Sequence, residues 1–167
     1  MNDVEMSRYI LDTFKGVDTV VDSDNSFFFY NPDPNIPPDH MFPFVTLMTN
    51  DINDQFSNLN RPSVYRVNIG VGKQTFRSLF GGSSPRTEGD EKDDSGEKAE
   101  SGDDDSKYDN YDFTALDQVM PHPVYGRMHW MCILNPSDET LEAKVRPLLD
   151  EAYDMAVSKY NKQAARR

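Results

Sequence analysis

The sequence has only one cysteine, Cys132, among its 167 residues. A single thiol cannot form a disulfide within the chain, and it cannot supply a cysteine-based zinc site or a two-cysteine redox motif. The chain also lacks an apolar run near the roughly 18 residues that a membrane helix requires. Its first residues lack the basic start and the apolar stretch of a signal peptide. We therefore expect a cytoplasmic protein in a reducing compartment, without a membrane segment.

The negative charge of the chain is concentrated in one stretch. The formal net charge is −12, but residues 88–112 contain twelve acids against three lysines. Residues 82–110 also offer only Ala99 and Tyr108 as apolar side chains. This is too little burial to offset the entropy of ordering the segment. The sequence predicts a single domain built from residues 1–82 and 113–167, interrupted by a disordered acidic insertion at 83–112.

In the first half of the domain, the sequence pattern predicts a helix and several strands. Asn2 or Asp3 can cap a helix that Gly16 ends. The alternation of residues 17–21, the turn at 23–26 and the aromatic run at 27–30 predict a hairpin. Residues 31–41, with four prolines, predict a loop, and residues 42–48 predict a buried strand.

Residues 64–71 alternate most cleanly, with one apolar face and one face formed by Arg66, Asn68 and Gly70. We expect the Arg66 face to be polar and exposed. Residues 72–81 predict a short helix ending at Gly81.

The C-terminal third predicts an apolar strand after Trp130 and then helical structure. Asn135 can cap a helix, and Pro136 suits its first turn. An interior proline costs about 3 kcal/mol in a helix, so Pro147 predicts a short helical piece to about Lys144 and a second helix from Arg146 or Pro147. No long βαβ crossover is present. The fold class expected is α+β, with an antiparallel sheet of four or five strands and both terminal helices on one face.

Several motifs carry a resemblance to a known family. They are Phe27-Phe28-Phe29-Tyr30, Arg66 to Val71, Asp112 to Asp117, Pro121-His122-Pro123-Val124-Tyr125 and His129-Trp130. With these motifs the chain resembles a family of small bacterial and fungal domains of unknown function, and the match covers nearly everything outside the acidic insertion. More distantly, His129-Trp130 and the C-terminal helix resemble the MmcQ/YjbR group. That resemblance implies a frataxin-like sandwich and, by analogy alone, nucleic-acid binding.

The residues that could carry chemistry are few. His122 and His129 could be metal ligands or a general base, but neither has a recognisable third ligand, so we predict no metal and no cofactor. Cys132 lies in an apolar strand, where burial blunts a thiolate. Gly70-Val71-Gly72-Lys73 opens a helix and could receive an anion there. Trp130 either anchors the core between the sheet and the terminal helix or forms a pocket wall.

Charge segregation is the clearest functional signal. Residues 55–87 contain no acid, yet they include Arg61, Arg66, Lys73, Arg77 and Arg86. Such a stretch forms either an electropositive face or a set of scattered, solvated cations. The first interpretation predicts a site for an anion. Duplex nucleic acid is not expected, because the folded part is still net negative.

Two hypotheses follow for function. The first is a non-catalytic binding or interaction domain for a small anionic ligand or a protein partner. Its site would be formed by Arg66, Asn68, Lys73, Tyr125, Arg127, His129 and Trp130. The second is a small enzyme that uses His122 or His129 as general base.

Overall fold

In the computed structural model the protein is described at residues 1–32, 42–81 and 111–165, with side chains to residue 163. The described residues form one six-stranded sheet in which every neighbouring pair is antiparallel. The α+β class is confirmed, with six strands rather than four or five. The insertion predicted at 83–112 lies outside the described residues except for 111 and 112, and its disorder stays a prediction.

The first helix, α1, covers Asp3–Thr13 and has the cap that the sequence predicts. The Asn2 side chain accepts a hydrogen bond from the backbone N–H of Glu5, and the Glu5 side chain accepts one from the backbone of Asn2. This reciprocal capping box satisfies two N–H groups that a helix start leaves without partners. Met6 and Ile10 are fully buried, so α1 packs on the sheet through one stripe.

Strands β1 (Val17–Asp22) and β2 (Asn25–Tyr30) form the predicted hairpin at one edge of the sheet. Ser23 and Asp24 form its two-residue turn, and both have positive φ values of 56° and 67°. Positive φ at both turn residues gives a type I′ turn, whose twist matches that of the flanking strands. Pairing then runs without a bulge from Asp22 opposite Asn25 to Val17 opposite Tyr30.

The remaining strands are β3 (Val45–Met48), β4 (Arg66–Gly70), β5 (Met120–Pro121) and β6 (Trp130–Leu134). The sheet order is β1-β2-β3-β4-β6-β5. β4 is therefore an interior strand, and Asn68 lies opposite Thr46 on one side and Cys132 on the other.

One face of the sheet, the helical face, packs against α1 and the C-terminal helices. Its strand residues alternate with those of the opposite face and join Met6, Ile10 and Leu149 in one buried cluster. The strand members of this cluster are Phe28, Val45, Leu47, Val67, Ile69, Met131 and Ile133. Both terminal helices thus cover the same face, as their apolar stripes predict.

The opposite face, the loop face, is covered by loops. Met48, Met120, Cys132 and Leu134 point to it and are buried with Leu59, which belongs to the connection at residues 49–65. Trp130 also belongs to this face, because it pairs with Gly70 two positions along β6 from Cys132. The expectation that Trp130 anchors the core against the terminal helix is wrong, since that helix covers the other face.

The C-terminal helical region is continuous where two pieces were predicted. Helix α2 (Lys73–Phe76) follows β4, and near the C-terminus helix α3 (Asp138–Thr140) leads through a π-helical segment, Leu141–Val145, into α4 (Arg146–Ala165). The wider π turn lies just before Pro147, where a regular helix would meet the missing N–H and the ring of the proline. The proline is therefore accommodated without a break.

The predicted cap at Asn135 is wrong, and Ser137 caps α3 instead. Asn135 adopts a left-handed conformation, accepts a hydrogen bond from the backbone N–H of Tyr65 and donates one to the carbonyl of Ser63. It thereby ties the start of β4 to the end of β6. In the described part of the chain, no helix is long and apolar enough to cross a membrane.

Candidate functional site

Arg66 and Asn68 lie on the loop face of β4, and both are buried rather than exposed. Each side chain is 1% exposed. The expectation of an exposed, electropositive Arg66 face is therefore wrong. Alternation along β4 correctly separates Arg66 and Asn68 from the apolar face, but the loops that cover the polar face come from distant parts of the chain.

Arg66 is held in a buried polar network. Its Nη1 and Nη2 donate to the two carboxylate oxygens of Asp54 at 3.0 and 2.6 Å, and Nη1 also donates to Ser57 Oγ at 2.9 Å. Nε donates to Asn68 Oδ1 at 2.9 Å, and Asn68 Nδ2 donates to Thr46 Oγ1 at 2.9 Å. Four of the five guanidinium N–H groups are thus used within the protein, and the positive charge is neutralised by a two-pronged ion pair.

The pKa of Asp54 reflects this pairing. Burial raises the pKa of its carboxyl group, but the hydrogen bond and charge of Arg66, together with a hydrogen bond from the backbone N–H of Phe56 and other smaller effects, hold the net pKa below its usual value. Because Asp54 belongs to the connection at residues 49–65 and Arg66 to β4, the ion pair holds this connection against the sheet. A buried arginine without a carboxylate would be costly, so Arg66 and Asp54 act as one structural unit.

His122 lies next to this network and has a defined tautomer. Its Nδ1 accepts hydrogen bonds from the backbone N–H groups of Val124 and Tyr125, both at 3.0 Å. Nδ1 therefore carries no proton, and in the neutral ring the proton is on Nε2. The 3.5 Å contact between Nε2 and Arg66 Nη2 then joins two donors. Burial and the Arg66 charge lower the pKa of His122 to about 3, although the Asp54 charge acts in the opposite direction.

This arrangement argues against His122 as a general base. A general base needs an accessible nitrogen lone pair and a pKa near the working pH. The only lone pair of His122 is used by its own loop, and the residue is 3% exposed. The imidazole instead acts as an internal acceptor for backbone N–H groups.

The loop that His122 organises joins β5 to β6, and we name residues 122–129 the contact loop. A 3₁₀ turn at Gly126–Met128 follows Tyr125, and His129 closes it with a left-handed φ of 69°. Backbone hydrogen bonds join Gly126 N to His122 O, Met128 N to Tyr125 O and Trp130 N to Tyr125 O. The loop is thus fixed by its own backbone and by the His122 ring.

The contact loop presents apolar side chains to solvent. Val124 is 39% exposed, Tyr125 51% and Met128 64%. Arg127 is exposed on the same turn. At the base of the loop the half-buried Trp130 lies over Gly70, where an added Cβ would come within 3.0 Å of the indole ring.

The predicted anion position at the start of α2 (Lys73–Phe76) is occupied from within. Glu151 of α4 accepts hydrogen bonds from the backbone N–H of Gly72 at 2.7 Å and from Thr75 Oγ1 at 2.7 Å. The carboxylate therefore fills the place where an external anion was expected. A π-helical turn, Arg77–Gly81, continues α2.

The sequence-predicted site residues divide into two groups. Arg66 and Asn68 are buried beneath the loops with His122. The others lie near the sheet end where β4 finishes and β6 begins, and they are Lys73, Tyr125, Arg127, His129 and Trp130. His129 packs on Phe76 with ring centroids 5.6 Å apart, and its carbonyl accepts from the N–H of Val71. His122 joins the two groups, because it contacts Arg66 and holds the backbone of Tyr125.

In the comparison with protein families, a family model matches almost the whole chain. The model of a family of unknown function, DUF6194, matches residues 1–165. The chain belongs to this family. The expectation of an uncharacterised domain family is confirmed, whereas the likeness to the MmcQ/YjbR group stays a prediction. No curated protein and no solved structure matches the chain.

Sequence reasoning missed Asp54, Ser57 and Thr46 in this DUF6194 domain. Asp54 can be inferred only once Arg66 is known to be buried, because a buried arginine needs an acid and residues 55–87 contain none. The nearest preceding acid in the sequence is Asp54. Ser57 and Thr46 carry no comparable signal, since hydroxyl side chains occur in any polar connection or strand.

Two further features bear on chemistry. In the ranges 1–32, 42–81 and 111–165, no cluster of three His, Cys, Asp or Glu side chains could hold a metal ion. A shallow groove of about 370 Å³ lies beside α1 and is lined by Asp3, Ser7, Arg8 and Thr49, among others. Leu47, whose side chain belongs to the helical face, also lines this groove, so the groove is separate from the contact loop.

Proposed function

We propose that this chain is a non-catalytic interaction domain that binds a protein partner through the contact loop. The observation that carries the proposal is the exposure of Val124, Tyr125 and Met128 on a loop whose backbone is fixed from below by His122. Tyrosine and methionine are enriched at protein interfaces, and a tyrosine anchor often contributes much of the binding energy.

Preorganisation supports this surface as a binding site. A loop that is already in its bound conformation loses little conformational entropy when a partner docks. His122 supplies this rigidity, because its neutral ring accepts two adjacent backbone N–H groups at 3.0 Å. The Arg66–Asp54 pair lies beside the ring: Arg66 Nη2 is 3.5 Å from Nε2, and because both groups are donors the pair packs against the ring without a hydrogen bond to it. The network beneath the loop thus has a structural role that serves the exposed surface.

A protein partner fits these residues better than a small anionic ligand. Arg66 is buried and already paired with Asp54, so its charge is neutralised within the domain. The backbone N–H of Gly72 is bound by Glu151. Two of the groups that made an anion site attractive in the sequence are therefore engaged internally. The side chains that do reach solvent on the contact loop are largely apolar.

The enzyme and nucleic-acid hypotheses gain less support. The enzyme hypothesis requires His122 or His129 as general base. His122 is poorly suited to this role, because its nitrogen lone pair already accepts two backbone N–H groups and its side chain is buried. The nucleic-acid hypothesis rests on the resemblance to the MmcQ/YjbR group, and it loses Arg66 as a phosphate contact. A duplex binder would need several accessible cations on one face.

A position-specific cross-link tests the proposal. A photoreactive amino acid replaces Met128 in the full chain, and irradiation in native cell extract should trap a defined protein. The matched control places the same group at Ile52, which is 66% exposed on the connection at residues 49–65. The trapped protein must also bind the purified, unmodified chain. Because Met128 and Ile52 have similar exposure, a difference between them reports position rather than accessibility.

The outcomes separate clearly. One protein trapped from Met128 and not from Ile52, with binding reproduced by purified components, supports the contact loop as the interface. Equal trapping at both positions, or no purified partner that binds, overturns the proposal.

A further inference from the structure

The outer edge of β1 is a second surface with the chemistry of a binding site, and it is independent of the contact loop. β1 is the first strand of the sheet and pairs only with β2 among the described residues. Five of its six residues are exposed, and Val20 and Val21 are 42% and 63% exposed. The strand has neither a proline nor a bulge to blunt this edge.

The hairpin register fixes which backbone groups face outward. In a two-residue type I′ hairpin the residues that flank the turn, here Asp22 and Asn25, form a hydrogen-bonded pair. At the other end the N–H of Asn31 donates to the carbonyl of Gly16. Residues 16, 18, 20 and 22 therefore bond to β2. The N–H and C=O groups of Val17, Thr19 and Val21 point away from the sheet, ready to pair with another strand.

The charges along the β1 edge indicate the chemistry of a strand that would pair with it. Asp18 and Asp22 lie on the loop-face side of β1, four residues apart, and Asp24 follows in the turn. No lysine or arginine occurs between Gly16 and Asn60. Lys15, just before the strand, is the nearest cation in the sequence, and its carbonyl accepts a hydrogen bond from Tyr153.

A second copy of this chain is a poor occupant of the edge. Antiparallel pairing of two β1 strands about a twofold axis normal to the sheet would place two pairs of aspartates on the same face of the joint. Like charges on neighbouring strands destabilise a sheet. A strand that carries basic residues on that face would instead meet Asp18 and Asp22 with opposite charge.

We propose that the β1 edge accepts an extended, basic segment of a partner protein by antiparallel strand addition. The outward groups of Val17, Thr19 and Val21 supply the ladder, as in other β-augmentation complexes. Asp18 and Asp22 select two basic side chains spaced four residues apart. β-Branched residues between the two basic residues lie opposite Val21 and Thr19, on the other face of the strand.

The probe is a peptide with the sequence Lys-Val-Thr-Val-Lys-Val, acetylated and amidated at its ends. In the antiparallel register its lysines lie opposite Asp22 and Asp18, and its valines lie opposite Val21, Thr19 and Val17. Titration into the ¹⁵N-labelled full chain should shift the amide signals of Val17, Thr19 and Val21. The amides of Asp18, Val20 and Asp22 already bond to β2 and should move much less.

Matched peptides and variants test the ladder and the charges separately. N-methylation of the second and fourth peptide residues removes ladder donors and should abolish binding, whereas N-methylation of the third and fifth should leave it within about twofold. Exchanging both lysines for glutamates should abolish binding. The double variant Asp18→Asn/Asp22→Asn should weaken binding roughly three- to tenfold, as expected for two exposed ion pairs.

Several results would overturn the proposal. They are the absence of binding, equal binding of the lysine and glutamate peptides, and shifts that do not alternate along β1. A dimer in analytical ultracentrifugation, with the Val17, Thr19 and Val21 amides shifting with protein concentration, would show a second copy on the edge instead. The contact-loop variants should not affect this titration, so its failure would leave the proposed function untouched.

Discussion

The neutral, buried His122 should dominate the acid sensitivity of the domain. Its pKa is lowered from 6.5 to about 3, chiefly by burial and then by the Arg66 charge. The folded pKa lies below the unfolded one, so only the unfolded chain gains a proton as the pH falls below about 6.5. Each unit of pH then costs about 1.4 kcal/mol of stability, until the folded ring also protonates near pH 3. Between about pH 8 and pH 5 the loss is about 2 kcal/mol.

Two variants isolate this contribution. His122→Asn keeps an acceptor oxygen near the place of Nδ1 and removes the titrating ring, whereas His122→Ala removes both. Urea unfolding measured from about pH 8 to pH 5 should give both variants a flatter pH dependence than the wild type, by about 2 kcal/mol. His122→Ala should also be less stable than His122→Asn by about 1–3 kcal/mol at every pH, because the N–H groups of Val124 and Tyr125 lose their acceptor.

The comparison cancels the other titrating groups, since they are common to all three proteins. If the wild type and both variants lost stability in parallel from pH 8 to pH 5, His122 would not be buried in its neutral form. If the two variants were equally stable, His122 would not act as the hydrogen-bond acceptor that fixes the contact loop.

The remaining predictions concern the network and its neighbours. Asp54→Asn should destabilise the fold by roughly 3–5 kcal/mol in urea unfolding, because it leaves the buried Arg66 charge without its partner; a loss under about 1 kcal/mol would show that the pair is solvated. The lowered Asp54 pKa means that this stabilisation is present above about pH 4 and is lost as the pH falls further. Burial raises the pKa of Cys132 to about 12, so a thiol reagent at neutral pH should label it only at the rate of opening or unfolding, and rapid labelling would contradict its burial. Gly70→Ala should displace the Trp130 ring and change its fluorescence, since the new Cβ would lie 3.0 Å from it; an unchanged spectrum would contradict that contact.

Local sequence patterns predicted the elements that depend on local chemistry. The Asn2 cap, the turn at Ser23 and Asp24, and the alternation of Arg66 to Gly70 each follow from residues within a few positions of one another. These signals placed α1, the β1–β2 hairpin and β4 in the correct class of structure. They also placed both terminal helices on one face, because each has a single apolar stripe.

Patterns that depend on distant partners were misjudged. The alternation that places Arg66 on the polar face of β4 cannot reveal that residues 49–65 fold over it, so the sequence predicts a charged surface where the structure has a buried ion pair. Likewise, Gly72 at a helix start predicts an anion, but the sequence does not say that Glu151, 79 residues away, supplies it. Asn135 has the side chain of a helix cap, but it bonds instead to the backbone of Tyr65, 70 residues away in the sequence, and no local pattern predicts that contact. In each case a long-range contact replaced the local interpretation.

The most direct test of the central claim compares two double variants in binding to the partner identified by cross-linking. Tyr125→Ala/Met128→Ala removes the two most exposed apolar side chains of the contact loop, and Lys73→Ala/Arg127→Ala removes exposed charge at the same end of the sheet. Circular dichroism should show that both variants keep the fold. The account predicts that the apolar pair raises Kd at least about tenfold, whereas the charged pair changes it less than about fivefold. A Kd unchanged by the apolar pair, with binding lost in the charged pair, would contradict the account and restore the anionic site.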